Sequence, residues 1–583
     1  MFEFDGFGGR LKCCCDDHDG QTPANPSQQQ LPLGTRTIIA QRCHRTMTME
    51  QGGERVNDDI ANQDSDSDSD DDLYGIECVD LTEETLRRLQ RNDCSIAGLK
   101  IQAESWIAGT GIAIANSSCL KMLEIEVKSD GHWLAELSAW LTCNESIISL
   151  EMRFDTDQIS STSDILGLFA PFVMNNRKLR SIYAINFGDN THSLSSLALA
   201  LANRKGDRLE RISTIWGRSA RDEEVADLFR SLIGKPRLSE ICFRYNRLGR
   251  MGCRTLANLL TYQSSNIQSL DFQRTDIDND NMAILCDAII KNNTLRKLSM
   301  CRVSISGCVS LSKLLSYPMS TLECLCLFST TIEDEGIGFL GEALANNNRL
   351  IRLSLVGDVS ITLAGWKAFS KCFEARHSSL DYLCLDDCHI CDDGVAGIAT
   401  SLAANTTLTT LEMGGNDHIT STGVVALFHL IARDPLRLER IYVSGNNVDI
   451  EGTKTDEWGI MSRALCDTTC INKTYASNHT FWNFQFGRQS LPGEIESLLD
   501  MNIYSDKEGV ARSKILKYHF CGVNTGIHTL VSMNETAIPH AIEWIGRNDD
   551  GYSTMFDFVQ KFPTLFDVSR LKHARCRSKK RKR

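Results

Sequence analysis

LECLCLFSTTIEDEGIGFLGEALANNNR, Leu322 to Arg349, begins with leucines at 322, 325 and 327 and closes on Asn346–Asn348. The pattern restarts at once with Leu350, Leu353 and Leu355. Starts of the same kind fall at Ile96, Leu120, Ile147, Leu179, Leu209, Leu238, Ile267, Leu295, Leu380, Leu408 and Leu438. From Leu209 to Leu438 the successive intervals are 29, 29, 28, 27, 28, 30, 28 and 30 residues. A fixed period of this size decides the architecture before any single residue can decide the function.

Within the quoted unit, Leu325 and Leu327 alternate with Cys324, Cys326 and Phe328, which puts the leucines on one side of a short strand. Ile337, Leu340, Ala343 and Leu344 then follow at helical spacing, as do Val395, Ile398 and Leu402 in the unit from Leu380. Each unit is therefore one strand and one helix. A piece of that size buries too little apolar area to offset its ordering entropy, so neighbouring units must close the core. Packed helices are wider than paired strands, so the stack must curve with the strands inside.

The segments LSEICFRYNRL from Leu238, LDYLCLDDCHI from Leu380 and LERIYVSGNNV from Leu438 resemble the leucine-rich repeat, LxxLxLxxN/C-x-L. The period and full helix resemble the ribonuclease-inhibitor-like subclass over residues 96 to about 460. Val303 and Asp358 stand where Asn or Cys is usual, and the units from Leu179 and Leu209 match loosely. The resemblance implies an α/β fold, a right-handed solenoid (horseshoe) with a concave parallel sheet, convex helices and a helical C-terminal cap. TYASNHTF, ARSKILKYHF and HAIEWIG also resemble a large diatom family of leucine-rich-repeat proteins whose role is not established.

The expected organisation is a disordered tail over 1–75, a cap helix within 76–95, the solenoid over 96–489, the helical cap over 490–568 and a basic tail over 569–583. Ile471–Phe481 reads as a last strand, Ser505 to Glu508 as a capping box, and Ile542, Trp544 and Ile545 as core of the C-terminal helices. The first tail ends in DSDSDSDDD, Asp64 to Asp72, a run that stays solvated. Ser65, Ser67 and Ser69, set among acids, are candidate phosphoacceptors. Lys579, Lys580, Arg581, Lys582 and Arg583 form a candidate nuclear-import signal; a solvated tail and nonspecific nucleic-acid contact are the other readings.

The 583 residues carry a net charge of −13 and 23 cysteines, with no run of apolar residues long enough to span a membrane. No secretory signal is evident at the start, so free thiols in the cytoplasm or nucleus are expected. The N-x-Ser/Thr sequons at Asn116, Asn144, Asn292, Asn405 and Asn478 then read as chance matches. No P-loop is present, since Gly234–Lys235 runs into Pro236, and neither a zincin nor a hydrolase-elbow motif appears. Cys324-x-Cys326 offers only two ligands and Cys388-x-x-Cys391 has no second pair, so neither makes a metal site. No cofactor, metal or catalytic residue is expected, and the chain is read as no enzyme.

Alternation places Glu240, Cys242, Arg244, Lys297, Phe328, Arg352, Tyr382, Asp386, Glu412, Arg440 and Tyr442 on the strand face away from the helices. Arg274 and Arg302 follow at strand exits, and Glu124, Glu126 and Glu151 make the early face acidic. Arginine and tyrosine are what binding hot spots favour, so this face is the candidate binding surface, against the alternative of an unselected solvated face. The expected function is a noncatalytic scaffold for a protein partner, with no small-molecule substrate, no membrane and no nucleic acid. The alternative is regulation of a small GTPase, because Ran GTPase-activating proteins share the repeat subclass, although they carry their acidic segment after the solenoid and this chain carries it before.

Overall fold

In a computed structural model the described residues are 76–520, apart from 128–131, 155–163, 187–193, 217–219, 246–247, 276, 303–307, 375–377, 404, 433–436, 450–454, 487–489 and 505. The chain divides into units Met1–Asp71 and Asp72–Arg583, and every described residue belongs to the second. Among the described residues fifteen parallel strands lie in sequence order in one sheet, from Cys78–Asp80 to Asn483–Gln485. A helix follows nearly every strand and packs on its neighbours, so the fold is a right-handed α/β leucine-rich-repeat solenoid. Neighbouring helices need about 8–10 Å while paired strands need about 4.8 Å, so the stack bends toward its sheet.

All thirteen repeat starts are buried, including Leu179 and Leu209, which lead into strands Ser181–Asn186 and Arg211–Trp216. The leucine spacing therefore holds even where the motif is loose. One strand lies outside the expected array. Cys78–Asp80 pairs with Gly98–Gln102 ahead of the first start, before the helix Glu83–Gln90 that Thr82 caps. At the other end, Ile471–Tyr475 is a short helix, and the last strand is Asn483–Gln485, led by buried Phe481. Gly493–Asn502 then supplies that repeat's helix, so the repeat pattern runs past residue 489. Ser505 lies outside the described residues, and it is Asp506 Oδ1 that accepts the Gly509 N–H at 3.0 Å.

Repeats are also clasped by asparagines. Asn292 Oδ1 accepts the N–H groups of Thr294 and Leu295, while its Nδ2 donates to the Leu260 carbonyl one repeat earlier. Thr294 Oγ1 donates to the Ile267 carbonyl. Asn144-x-Ser146 and Asn478-x-Thr480 repeat the arrangement, and Asn405 accepts from Thr407 and Leu408 in the same way. At Asn144, Asn292 and Asn478 the side chain caps one turn and satisfies a carbonyl of the last, so these sequons are structural joints, and Asn405 caps its own turn alike. Asn502 makes the same bonds to the carbonyls of Asn478 and Phe481, and Lys514 takes the next rung by donating to those of Leu465 and Asn478.

The expectation of free thiols fails at one place. Cys94 and Cys119, 25 residues apart, occupy adjacent loops with Cα atoms 4.9 Å apart and form a disulfide. A separation close to the period brings two loops side by side, which chain-wide cysteine counts do not reveal.

Candidate functional site

Strand register fixes which side chains share the helix-free face. Across consecutive strands, the first outward position is Glu240, Ser269, Lys297, Cys324, Arg352, Tyr382, Thr410 and Arg440. The third position carries Cys242, Asp271, Ser299, Cys326, Ser354, Cys384, Glu412 and Tyr442. Arg244 and Phe328 hold the fifth, with Phe328 between Cys301 and Val356.

The face divides into segments of different character. In the early strands Lys100 lies 2.9 Å from Glu124 and 3.5 Å from Glu126, and Arg153 lies 2.6 Å from Glu151 and 3.5 Å from Glu124. The acids expected to make this end negative are thus neutralised in part within the sheet. Arg244 is likewise committed: its guanidinium meets Asp271 Oδ2 at 2.5 and 3.1 Å. Asp271 occupies an outward position of SLDFQ that alternation could have supplied. It escaped notice because an acid between apolar neighbours looks like an ordinary solvated residue.

The later strands bring the aromatic and cationic residues together. The Arg352 guanidinium lies over the Tyr382 ring, 5.8 Å from its centroid. The Tyr382 hydroxyl is held by Glu412, and burial with the neighbouring acids pushes its ionisation far up, so it stays a donor. Register sets Glu412 beside Tyr442, whose hydroxyl accepts from Asn483 Nδ2 at 3.4 Å. Arg440 lies 5.8 Å over Trp482. Arg352, Tyr382, Glu412, Arg440 and Tyr442 therefore form one patch, all half-buried, over four adjacent strands.

Asp386 lies at the patch edge, and its Oδ1 accepts the Gly414 N–H at 2.5 Å. Ligand atoms of Cys384, Asp386 and Glu412 lie within 4.8 Å of one another. Burial pushes the Cys384 thiol well up, and both carboxylates already accept hydrogen bonds, so the trio is a satisfied polar cluster. Cys388 is buried and donates to the Leu355 carbonyl at 3.2 Å, a structural rung.

Arg274 and Arg302 belong to a second row. Tyr245, Arg274, Arg302, Ser329, Gly357, Asp387, Gly415 and Gly445 occupy equivalent strand exits, all with φ between 51 and 80°. Each of the first seven donates its N–H to a carbonyl of the following repeat, as Arg274 does to Cys301 at 2.7 Å. That turn demands the left-handed region, which costs a side chain about 1–2 kcal/mol. Arg274 stacks 5.1 Å over Tyr245, and Arg302 is exposed. Ser65, Ser67, Ser69 and Lys579–Arg583 lie outside the described residues.

A leucine-rich-repeat family model matches residues 404–428. The Sus scrofa ribonuclease inhibitor is 24% identical over 361 residues, covering 61% of this chain and 78% of its own. This chain carries leucine-rich repeats similar to those of ribonuclease inhibitor. The Homo sapiens NACHT, LRR and PYD domains-containing protein 14 is 26% identical over 226 residues, 38% of this chain. The leucine-rich-repeat chain spans only about a fifth of that relative's length, 20%. A solved structure of the yeast Rad7 and Elc1 complex covers 74% of this chain and 97% of its own at 17% identity, with a TM-score of 0.37. At that score the superposition is too partial to argue from.

Proposed function

We infer that this leucine-rich-repeat protein is a noncatalytic scaffold that binds a protein partner on the helix-free face of its sheet, centred on strands Arg352–Val356 to Arg440–Tyr442. One observation carries the reading: Arg352, Tyr382, Glu412, Arg440 and Tyr442 lie side by side, half-buried, on rigid paired strands. Such residues combine contact area with hydrogen bonding, and their stacking holds them before a partner arrives, so little side-chain freedom is lost on binding. Phe328 and Lys297 extend the patch on one side, and Arg274 and Arg302 border it at the strand exits.

The similarity to ribonuclease inhibitor and to the NACHT relatives supports a protein-binding repeat surface. No helix among the described residues is long and apolar enough to cross a membrane. Regulation of a small GTPase has no observation in its favour. The deciding experiment truncates Arg352 and Tyr442 and asks whether a partner is lost while the fold persists.

A further inference from the structure

Strand Cys324–Phe328 carries two thiols on its helix-free face, Cys324 and Cys326, whose sulfurs lie 3.7 Å apart. As metal ligands two side chains fall short, but thiol oxidation requires only two sulfurs. Register sets Cys324 between Lys297 and Arg352. Arg352 turns toward Tyr382, which leaves Lys297 as the cation acting on the sulfur. Glu323, the acid that opposes it, is itself paired with Arg296. The uncharged Ser299 and Ser354 flank Cys326.

Those neighbours divide the roles of the two sulfurs. A hydrogen bond from the Cys326 thiol holds the Cys324 thiol below its ordinary range, with Lys297 helping against burial and Glu323. The same contact, together with burial, pushes Cys326 well up, so it keeps its proton. Cys324 is partly exposed, whereas Cys326 is buried. Most other free cysteines whose thiols shift are moved the other way: burial raises Cys242, Cys253 and Cys286 to about 12. A partly exposed cysteine beside a cation and a second thiol is the setting in which thiolate chemistry becomes site-selective.

We propose that Cys324 and Cys326 are an oxidant-reactive dithiol, in which a hydroperoxide oxidises Cys324 and Cys326 closes a disulfide. The Cys324 thiolate attacks a peroxide oxygen; an S–O bond forms, the O–O bond breaks, and hydroxide (or alkoxide) leaves and takes up a proton. The sulfur gives up two electrons and becomes a sulfenic acid. Cys326 sulfur then attacks it, the S–S bond forms, and the hydroxyl departs as water with the Cys326 proton. Residues two apart on an extended strand are separated by roughly 6.6 Å at Cα, near the upper end of what a disulfide spans. Their Cβ atoms, on one face of the strand, must draw together to the roughly 3.5–4.5 Å that a disulfide requires, so closing the bridge kinks the strand locally, and the strained bond reopens with a mild thiol reductant. The pair lies on the proposed binding face, between Lys297 and Arg352, but its chemistry requires no partner.

The test uses the full reduced chain, limiting iodoacetamide at neutral pH, and peptide mass spectrometry, with the exposed Cys143 as internal reference. Cys324 should alkylate about tenfold faster than Cys143, and Lys297→Met should slow Cys324 alone by several-fold. Hydrogen peroxide should convert the Cys324–Cys326 peptide to a form lacking two hydrogens, restored by dithiothreitol. Cys326→Ser should stop at a sulfenic acid that dimedone traps on Cys324. Cys324 reacting no faster than Cys143 in the unaltered chain, or a pair that remains dithiol in peroxide, overturns the proposal. Both of those readings come from the native sequence and do not depend on a variant folding.

Discussion

The Asp358 carboxylate accepts the Thr330 N–H at 2.7 Å, filling with an acid the rung that Asn416 fills with an amide two repeats later. Asn416 accepts the N–H groups of Cys388 and Ile390 through Oδ1 and donates through Nδ2 to the carbonyls of Leu385, Met413 and Gly414. A carboxylate can do the first and not the second. Burial accordingly raises Asp358 to about 6, against hydrogen bonds from Thr330 that favour its ionised form. Between about pH 4 and 6 the folded chain binds the proton more tightly than the unfolded one, so this group's contribution falls as pH rises through that window. Asp358→Asn should raise stability by about 1–3 kcal/mol above pH 6, with the gain shrinking toward pH 4. Urea melts at the two pH values measure it.

Lys514 behaves in the opposite sense. Its ammonium is fully buried, donates to the carbonyls of Leu465 and Asn478 at 2.6 and 3.2 Å, and burial lowers it to about 7. Between about pH 7 and 10 the unfolded chain keeps a proton that the folded chain releases, so this group's contribution to stability rises with pH across that interval. Below pH 7 both states are charged and the desolvation cost is fully present. His479, which burial lowers to about 4, adds a loss as pH falls from about 6.5 to 4. Thermal melts should show stability rising from about pH 7 to 8.5, short of the range above about 9 where unfolded-state thiols ionise and reverse it, and Lys514→Met should flatten that rise.

The left-handed strand exits separate backbone demand from side-chain use. Gly357 sits there with φ 73°, and an added Cβ would meet Ser329 Oγ at 2.7 Å. Gly357→Ala should therefore cost about 1–2 kcal/mol. Arg274→Gly and Arg302→Gly relieve the same conformation and should stabilise the fold by up to about 1 kcal/mol each. Differential scanning calorimetry gives both signs.

Arg244 and Asp271 form a pair inside the face, and their removal should be felt as stability. Arg244→Ala leaves a mostly buried carboxylate with its ion pair broken, costing about 1–3 kcal/mol. Arg244→Leu/Asp271→Leu should recover most of that loss. A double-mutant cycle in denaturant measures the coupling.

Leucine spacing carried the fold because every strand contributes inward residues at fixed offsets, and burial of Leu179 and Leu209 follows that spacing even where other motif positions drift. Cross-repeat partners were harder to read. Arg244 and Asp271 are 27 residues apart, and their meeting depends on which strand positions face each other, as the register shows. The Asn-x-Ser/Thr joints were legible as a recurring string, but the same string is a glycosylation acceptor, and only the donated carbonyl bonds distinguish the two. The last strand was read too early, over 471–481, because Asn483–Gln485 has only three residues and an aromatic lead, Phe481, in place of leucine.

The binding face itself is tested most directly by affinity capture with the full chain, comparing the unaltered protein, Arg352→Ala/Tyr442→Ala, and a helix-side control, Met251→Ala, whose side chain is exposed in Arg250–Leu260. Thermal melts first establish that all three are folded. Quantitative mass spectrometry should then find one or more proteins retained by the unaltered chain and by Met251→Ala and lost from Arg352→Ala/Tyr442→Ala. An unchanged set of captured proteins with the face variant would contradict the account.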